Sequence, residues 1–316
     1  NNFEVVRTRT IEVPAAVIYD NVIDYRNWEA WSSWIEKKPD TKITYPEQTK
    51  DIGGSYSWED DDGLGNMKTL ATTPSTYIEQ SMQLNDYEPS KVTWTFEGTE
   101  DGKTNVTWTM KGDKVPFSFK LYALFSGGFD TMIGPDFERG LEKLDSLVVE
   151  STKKHVVSVN GITEYGGGFY LYKTTNAKDS NISQKMAEQY ESLMAYVTKN
   201  NIAMAGMPLT IYNEMNPENG NVIMSNGLPV NQKIKVAEDS DISCGFMSKT
   251  KVLKTTLKGN YTYLGDAWDI ALKYIADNNL IQSLEKPFEI YTNDPHDFPN
   301  PADWITEIYI PIVEEQ

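Results

Sequence analysis

Histidine, cysteine and positive charge are all scarce in this 316-residue chain, and each shortage removes a class of chemistry. The 2 histidines, His155 and His296, stand far apart with no ligand-spaced Cys or His around either, which argues against a zinc site or a histidine-based hydrolytic centre. The 1 cysteine, Cys244, has no partner for an internal disulfide, so the fold must rest on its core. Lys and Arg number 29 against 46 Asp and Glu, a formal net charge of -17, and the basic residues form no stripe. A nucleic-acid partner is therefore not expected, and neither a metal nor a cofactor is called for. No apolar run reaches membrane-spanning length and no signal-peptide pattern is present, so the chain as given reads as soluble. It begins Asn1-Asn2-Phe3 without a Met. That suggests a missing leading segment and leaves cytoplasmic and membrane-tethered placements both open.

What the chain does have is length and aromatic side chains. Its 316 residues suit two domains, each large enough to bury a core without covalent staples. The 8 Trp and 18 Tyr carry large apolar bodies with polar tips, useful both for filling cores and for lining wet pockets.

In residues 1–154, Phe3 to Val13 reads as a strand stopped by Pro14, followed by a helical pattern at Val17, Ile18 and Val22. Trp28, Trp31 and Trp34 then recur at intervals of three, close enough on helical turns to form a hydrophobic plug. Alternating strands follow, among them Val92-Trp94-Phe96 and Val106-Trp108-Met110, joined as a hairpin through Asp101-Gly102. One face of that antiparallel sheet is apolar. The expected cover is a helix from about Phe129 to Lys153, with Pro135 kinking it or resetting its start. The acidic run Glu59-Asp-Asp-Asp-Gly63 lacks the spacing of a calcium loop and reads as a solvated hairpin turn.

The order of strand, short helices, long sheet and closing helix is that of a helix-grip fold. The run IEVPAAVIYDNVIDYRNWEAWSSW resembles the opening of the START/polyketide-cyclase-like (SRPBCC) superfamily. That resemblance implies a space between sheet and helix, and Trp94 and Trp108 are candidates to line a second cavity there. Both are large, which favours a packed interior.

Residues 155–316 carry an internal repeat. Asn200-Asn-Ile followed by Pro208-Leu-Thr-Ile-Tyr212 can be laid over Asn278-Asn-Leu followed by Pro287-Phe-Glu-Ile-Tyr291. An amphipathic helix precedes each, with Tyr190 matching Trp268, and a strand ending apolar-Pro-apolar follows each. The unit is strand-helix-strand-strand, and two copies are expected to share one sheet about a pseudo-two-fold axis with a groove where they meet. The whole chain is thus of the α+β class. The same alignment sets Ser225 against Glu307, a carboxylate in the alternating strand Trp304 to Ile312.

The stretch LKGNYTYLGDAWDIALKYIADNN, then KPFEIYTNDP, then ITEIYIPI, resembles the GyrI-like effector-binding domain of bacterial multidrug-responsive regulators. The resemblance implies that Glu307 lies at the base of an aromatic groove and accepts lipophilic cations, with Trp268, Tyr291 and Tyr261 as walls. Tyr190 and Tyr212, the repeat partners of Trp268 and Tyr291, complete the candidate ligand-binding set. By pattern alone, Trp268 fits groove or core, and so do Tyr212 and Tyr291. No helix-turn-helix segment precedes the domain. The expected function is binding of an apolar or cationic small molecule, by a sensor or a sequestering protein. The alternative is a hydrolase of strained electrophiles with Glu307 as catalytic general base, and a protein partner is left open.

Overall fold

A computed structural model describes residues 2–113, 127–178, 180–216 and 218–313. The chain divides into two compact units, Asn1–Lys153 and Lys154–Gln316, each built on a large antiparallel sheet with helices, an α+β architecture. Among the described residues, no helix is long and apolar enough to cross a membrane.

In the first unit, β1 (Phe3–Ile11) ends before Pro14, and the fixed φ of that proline starts α1 (Ala15–Ile23). A 3-10 turn (Tyr25–Ala30) is capped by Asp24, whose carboxylate accepts from the Arg26 N–H, and α2 (Ser33–Lys37) by the Ser32 hydroxyl. The strands β2 (Lys42–Thr44), β3 (Ser55–Asp60), β4 (Gly63–Thr73), β5 (Tyr77–Leu84), β6 (Ser90–Gly98) and β7 (Thr104–Gly112) then form a meander. The sheet order is β1-β7-β6-β5-β4-β3-β2. Gly102, at φ 79°, makes the β6–β7 turn that the Asp-Gly pair predicts. The acidic run forms the β3–β4 hairpin turn, where Lys38 pairs with Asp60 and Asp62.

The long helix α3 (Phe129–Thr152) runs through Pro135. It packs Phe137, Leu141, Leu144 and Val148 against the sheet residues Val5, Trp94, Val106 and Trp108. Of the three tryptophans expected to form a plug, Trp28 and Trp31 are buried in the same core, whereas Trp34 is 37% exposed and only meets Trp108 and Phe137 edge-on.

The second unit runs β8 (Val156–Tyr165), β9 (Gly168–Lys178), α4 (Ile182–Lys199), β10 (Leu209–Asn216), β11 (Asn221–Val230), β12 (Ser243–Met247), β13 (Thr250–Lys258), α5 (Leu264–Asp277), β14 (Phe288–Tyr291) and β15 (Ile305–Pro311). The strands lie in the order β12-β9-β11-β10-β14-β15-β13-β8. That order reads alike from either end, if β8 and β12 are counted as counterparts, and its centre is the β10–β14 pair. There Thr210 stands directly opposite Glu289.

Both α4 and α5 end alike. Asn201 (φ 51°) and Asn279 (φ 54°) take the left-handed conformation that closes a helix, which Asn tolerates better than most residues. The Gly166-Gly-Gly168 run is also structural: a Cβ on Gly167 would fall 2.1 Å from the Met247 carbonyl oxygen, so two turns approach there.

Strand alternation divides the sheet into two faces. On one, Leu193 and Val197 of α4 pack on Leu171 and Leu228, and Ala267, Ala271 and Ile275 of α5 on Leu253, Leu257, Ile308 and Ile310. The opposite face carries a second cluster of Leu209, Ile211, Val252, Phe288 and Tyr309.

Candidate functional site

Register decides which carboxylate faces the helices. On β14, Glu289 pairs with Ile308 and Ile290 with Glu307, so Glu289 shares the helix-bearing face with Ile308 while Glu307 points to the other side. Glu289 is 1% exposed. Its Oε1 accepts a 2.6 Å hydrogen bond from Trp268 Nε1 of α5. Its Oε2 accepts from the hydroxyls of Tyr212 (2.9 Å, β10) and Tyr291 (2.8 Å, two residues along its own strand).

Thr210, the residue opposite, continues the polar network. Its Oγ1 lies 3.2 Å from the Tyr291 hydroxyl and 2.9 Å from that of Tyr190 on α4, and donates to Asn226 Oδ1 at 2.7 Å. Asn226 Nδ2 in turn donates to Gln189 Oε1 at 2.6 Å. The Tyr190 hydroxyl donates to the Leu209 carbonyl at 2.6 Å. The rings repeat the arrangement on either side of the central pair: Tyr212 meets Trp268 edge-on at 5.6 Å and Tyr291 meets Tyr190 edge-on at 6.3 Å. Tyr261, on a 3-10 turn (Tyr261–Tyr263) capped by Asn260, adds a third edge contact on Tyr291 at 5.6 Å. Tyr190, Trp268 and Tyr261 are half-buried, and Tyr212, Tyr291 and Glu289 are buried.

The electrostatics follow from this placement. Burial pushes the Glu289 carboxyl above the usual range, opposed by the hydrogen bonds from Trp268, Tyr291 and Tyr212. Burial first, and the nearby carboxylate second, hold the Tyr212 and Tyr291 hydroxyls well above normal. Tyr261 is pushed up to about 12 by burial, with Asp294 and Glu289 adding to it. Among the described residues Glu289 has no ion pair; its three donors are all neutral. A buried carboxylate in that state favours arrival of a cation or a proton, because each relieves an uncompensated charge in a low-dielectric site.

Glu307 therefore needs correction as the base of the aromatic cluster. Its Oε1 pairs with Lys254 Nζ at 2.6 Å and its Oε2 accepts from the Tyr309 hydroxyl at 2.5 Å, on the face away from α4 and α5. The structure brings Trp268, Tyr291, Tyr212, Tyr190 and Tyr261 together, but around Glu289. The repeat itself carries a signal for Glu289, since Thr210 and Glu289 occupy the same place in Pro-x-x-Ile-Tyr. Thr210, Asn226 and Gln189 had no comparable signal, because their role depends on strand pairing and on which helix face lies above.

Trp94 and Trp108 are buried core residues: their rings stack at 4.2 Å, and Trp108 stacks on Phe137 at 3.9 Å. Surface cavities among the described residues lie elsewhere. One, of about 430 Å³, is bordered by Tyr165, Phe169, Met207, Pro229 and Ile290; another, of about 540 Å³, by Lys42, Trp58, Asn66 and Asn85. His155 stacks on Tyr263, His296 lies beside Asp297, and no metal-binding group of three His, Cys, Asp or Glu gathers among the described residues.

Two helices thus pack on one face of the antiparallel sheet, where Glu289, Thr210 and the surrounding aromatic side chains meet. Residues 169–313 match the GyrI-like small molecule binding domain family. No curated protein matches the chain. Among solved structures, EcmrR in its DNA complex is 17% identical with a TM-score of 0.44, over 55% of this chain and 65% of that one. The chain thus spans less than two thirds of that EcmrR chain. The C-terminal domain of EcmrR is 17% identical with a TM-score of 0.42, over 51% of this chain and 99% of that one. A Mesorhizobium loti protein is 20% identical with a TM-score of 0.35, over 48% of this chain and 100% of that one.

Proposed function

We propose that the second unit binds an apolar small molecule carrying positive charge, in an aromatic groove formed by Tyr190, Tyr212, Tyr261, Trp268 and Tyr291, with Glu289 as its anionic floor. The observation that carries this is the Glu289 carboxylate, fully buried, held by three neutral donors and lacking an ion pair among the described residues. A desolvated cation there gains charge attraction from the carboxylate and about 0.5–2 kcal/mol from each ring face it meets. The match of residues 169–313 to a small-molecule-binding family supports the same role. The groove is the meeting place of two copies of a duplicated strand-helix-strand-strand unit, a proposal favoured by the reversible strand order and by the pairing of Thr210 with Glu289.

For the first unit we propose a START/polyketide-cyclase-like (SRPBCC) helix-grip domain, on the strength of its meander under one long helix. Its aromatic packing favours a filled interior over an open one. Nucleic acid is not a proposed partner, given the charge of -17. The hydrolase alternative loses its support, since Glu307 is engaged by Lys254 and Tyr309 away from the aromatic cluster.

Calorimetric titration with tetraphenylphosphonium, a bulky fixed cation, tests the reading. Glu289→Gln is expected to weaken binding by at least about tenfold, and Glu307→Gln by less than about threefold. Equal affinity in the native protein and Glu289→Gln, with the fold intact by circular dichroism, would overturn it.

A further inference from the structure

The hydroxyl of Tyr291 has two acceptors and one proton. It lies 2.8 Å from Glu289 Oε2 and 3.2 Å from Thr210 Oγ1. Each direction of that O–H belongs to a different state of the carboxyl group. With Glu289 ionised, the Tyr291, Tyr212 and Trp268 protons all point at it, and every donor is used. With Glu289 protonated, its own O–H can point at the Tyr291 oxygen, while Tyr291 turns its proton to Thr210. Trp268 Nε1–H is indifferent to the change, since it can only donate. The Tyr212 hydroxyl meets that of Tyr291 as well as Glu289, so it too has a second oxygen to turn to when the carboxyl group is protonated.

The groups facing Glu289 are otherwise neutral or weakly acidic. They are Tyr212 from β10, Tyr291 from its own strand, Trp268 from α5 and Ile308 across the strand pair, with Tyr190 from α4 and Tyr261 a little further off. Asp294 lies beyond Tyr261 and adds negative charge. Among the described residues, none of the contacts to Glu289 is a cation that could keep the carboxylate ionised.

Given the cation-binding role proposed above, on which this rests, we infer that Glu289 holds a proton until a hydrophobic monocation enters, and that rotation of the Tyr291 hydroxyl from Thr210 to the carboxylate lets the floor change state. The exchange balances: the carboxyl O–H bond breaks, its proton leaves to solvent, and one positive charge of the ligand replaces it. No bond in Tyr291 breaks. A single carboxylate selects a single positive charge, so a dication of similar size is left with one charge unmatched in the groove.

Protonation competes with the ligand, so affinity rises with pH and levels off once the carboxyl group is fully ionised. Below the midpoint, each unit of pH lost is expected to weaken tetraphenylphosphonium binding by about tenfold. Because that probe cannot titrate, a proton released on its binding comes from the protein. Titrations of the full chain at one pH in phosphate and in Tris, buffers of different ionisation enthalpy, count those protons. The native protein is expected to release up to one at low pH and none on the high-pH plateau. Thr210→Val removes the acceptor needed only by the protonated state, so it is expected to move the midpoint to lower pH, and Thr210→Ser to restore it. Glu289→Gln is expected to release no proton.

Binding with the same affinity and no proton release from about pH 5 to about pH 8 overturns the exchange and leaves the binding role standing. Absence of binding at every pH overturns both. If Thr210→Val does not fold, the proton count in the native protein and in Glu289→Gln still decides the matter.

Discussion

Two glutamates stand one strand apart, on β14 and β15, and the sheet between them gives them opposite lives. Glu307 faces the side without helices, half-buried, with the Lys254 ammonium on one oxygen and the Tyr309 hydroxyl on the other. Glu289 faces the helices, fully buried, among an indole N–H and two phenols, with no ion pair among the described residues. The first is a charge already neutralised. The second has no cation beside it among the described residues, so a proton or an arriving cation can each complete it.

The strongest way to break this comparison is to move the open charge across the central strand pair. Thr210→Glu combined with Glu289→Thr exchanges counterparts that face each other in the sheet. Glu289→Thr alone is expected to lower tetraphenylphosphonium affinity by about a hundredfold, and the double exchange to recover most of it, as read by calorimetry. Failure to recover, in a folded protein, would mean that the two sides of the groove are not interchangeable.

Next in size is the loss of a donor. Tyr212→Phe leaves the buried carboxylate short of one hydrogen bond and is expected to lower stability by about 1–3 kcal/mol, read as a lower urea midpoint.

The pH dependence of stability tests the Glu289 environment directly. Since the folded protein holds the Glu289 carboxyl above its unfolded value, the protonated form favours folding. That stabilisation is fully present below the unfolded value and is lost as pH rises through the raised one. Thermal melts across this window are expected to show the decline in the native protein and not in Glu289→Gln.

The smallest effect belongs to Glu307. Lys254→Met removes its ammonium partner, but both side chains keep some contact with water, so the expected destabilisation is about 1 kcal/mol or less. Adding Glu307→Gln is expected to reverse it.

Periodicity made much of this fold legible. The helix α3, the Asp-Gly hairpin and the paired ends of α4 and α5 all follow from local pattern, where side-chain spacing and turn chemistry act within a few residues. The repeat also sets Tyr190 against Trp268 and Tyr212 against Tyr291, four aromatics that lie near Glu289. The carboxylate was harder. Glu307 stood out because it interrupts an alternating strand, yet its neutralising partner Lys254 lies on β13, and no local signal shows that β13 runs beside β15. Glu289 sits two residues before Tyr291 and must share its face, a fact available from strand parity once both were in one strand. What the sequence could not show is the depth of that face, which depends on two helices arriving from elsewhere in the chain.

The placement of β8 and β12 at opposite edges of the sheet has a consequence for how the protein is made. Val156 on β8 pairs with Lys258 on β13, and Ser243 on β12 pairs back with Tyr172 on β9. During synthesis the first strand of the unit emerges long before its partner, and its hydrogen-bonding edge must wait while β9, α4, β10, β11 and β12 are translated. Such late, long-range pairing slows folding and leaves an unpaired edge exposed to chance neighbours on the way. By the same topology, two separately expressed halves would each lack one edge strand and carry one orphan. They should remain sticky apart and assemble into a whole only when mixed.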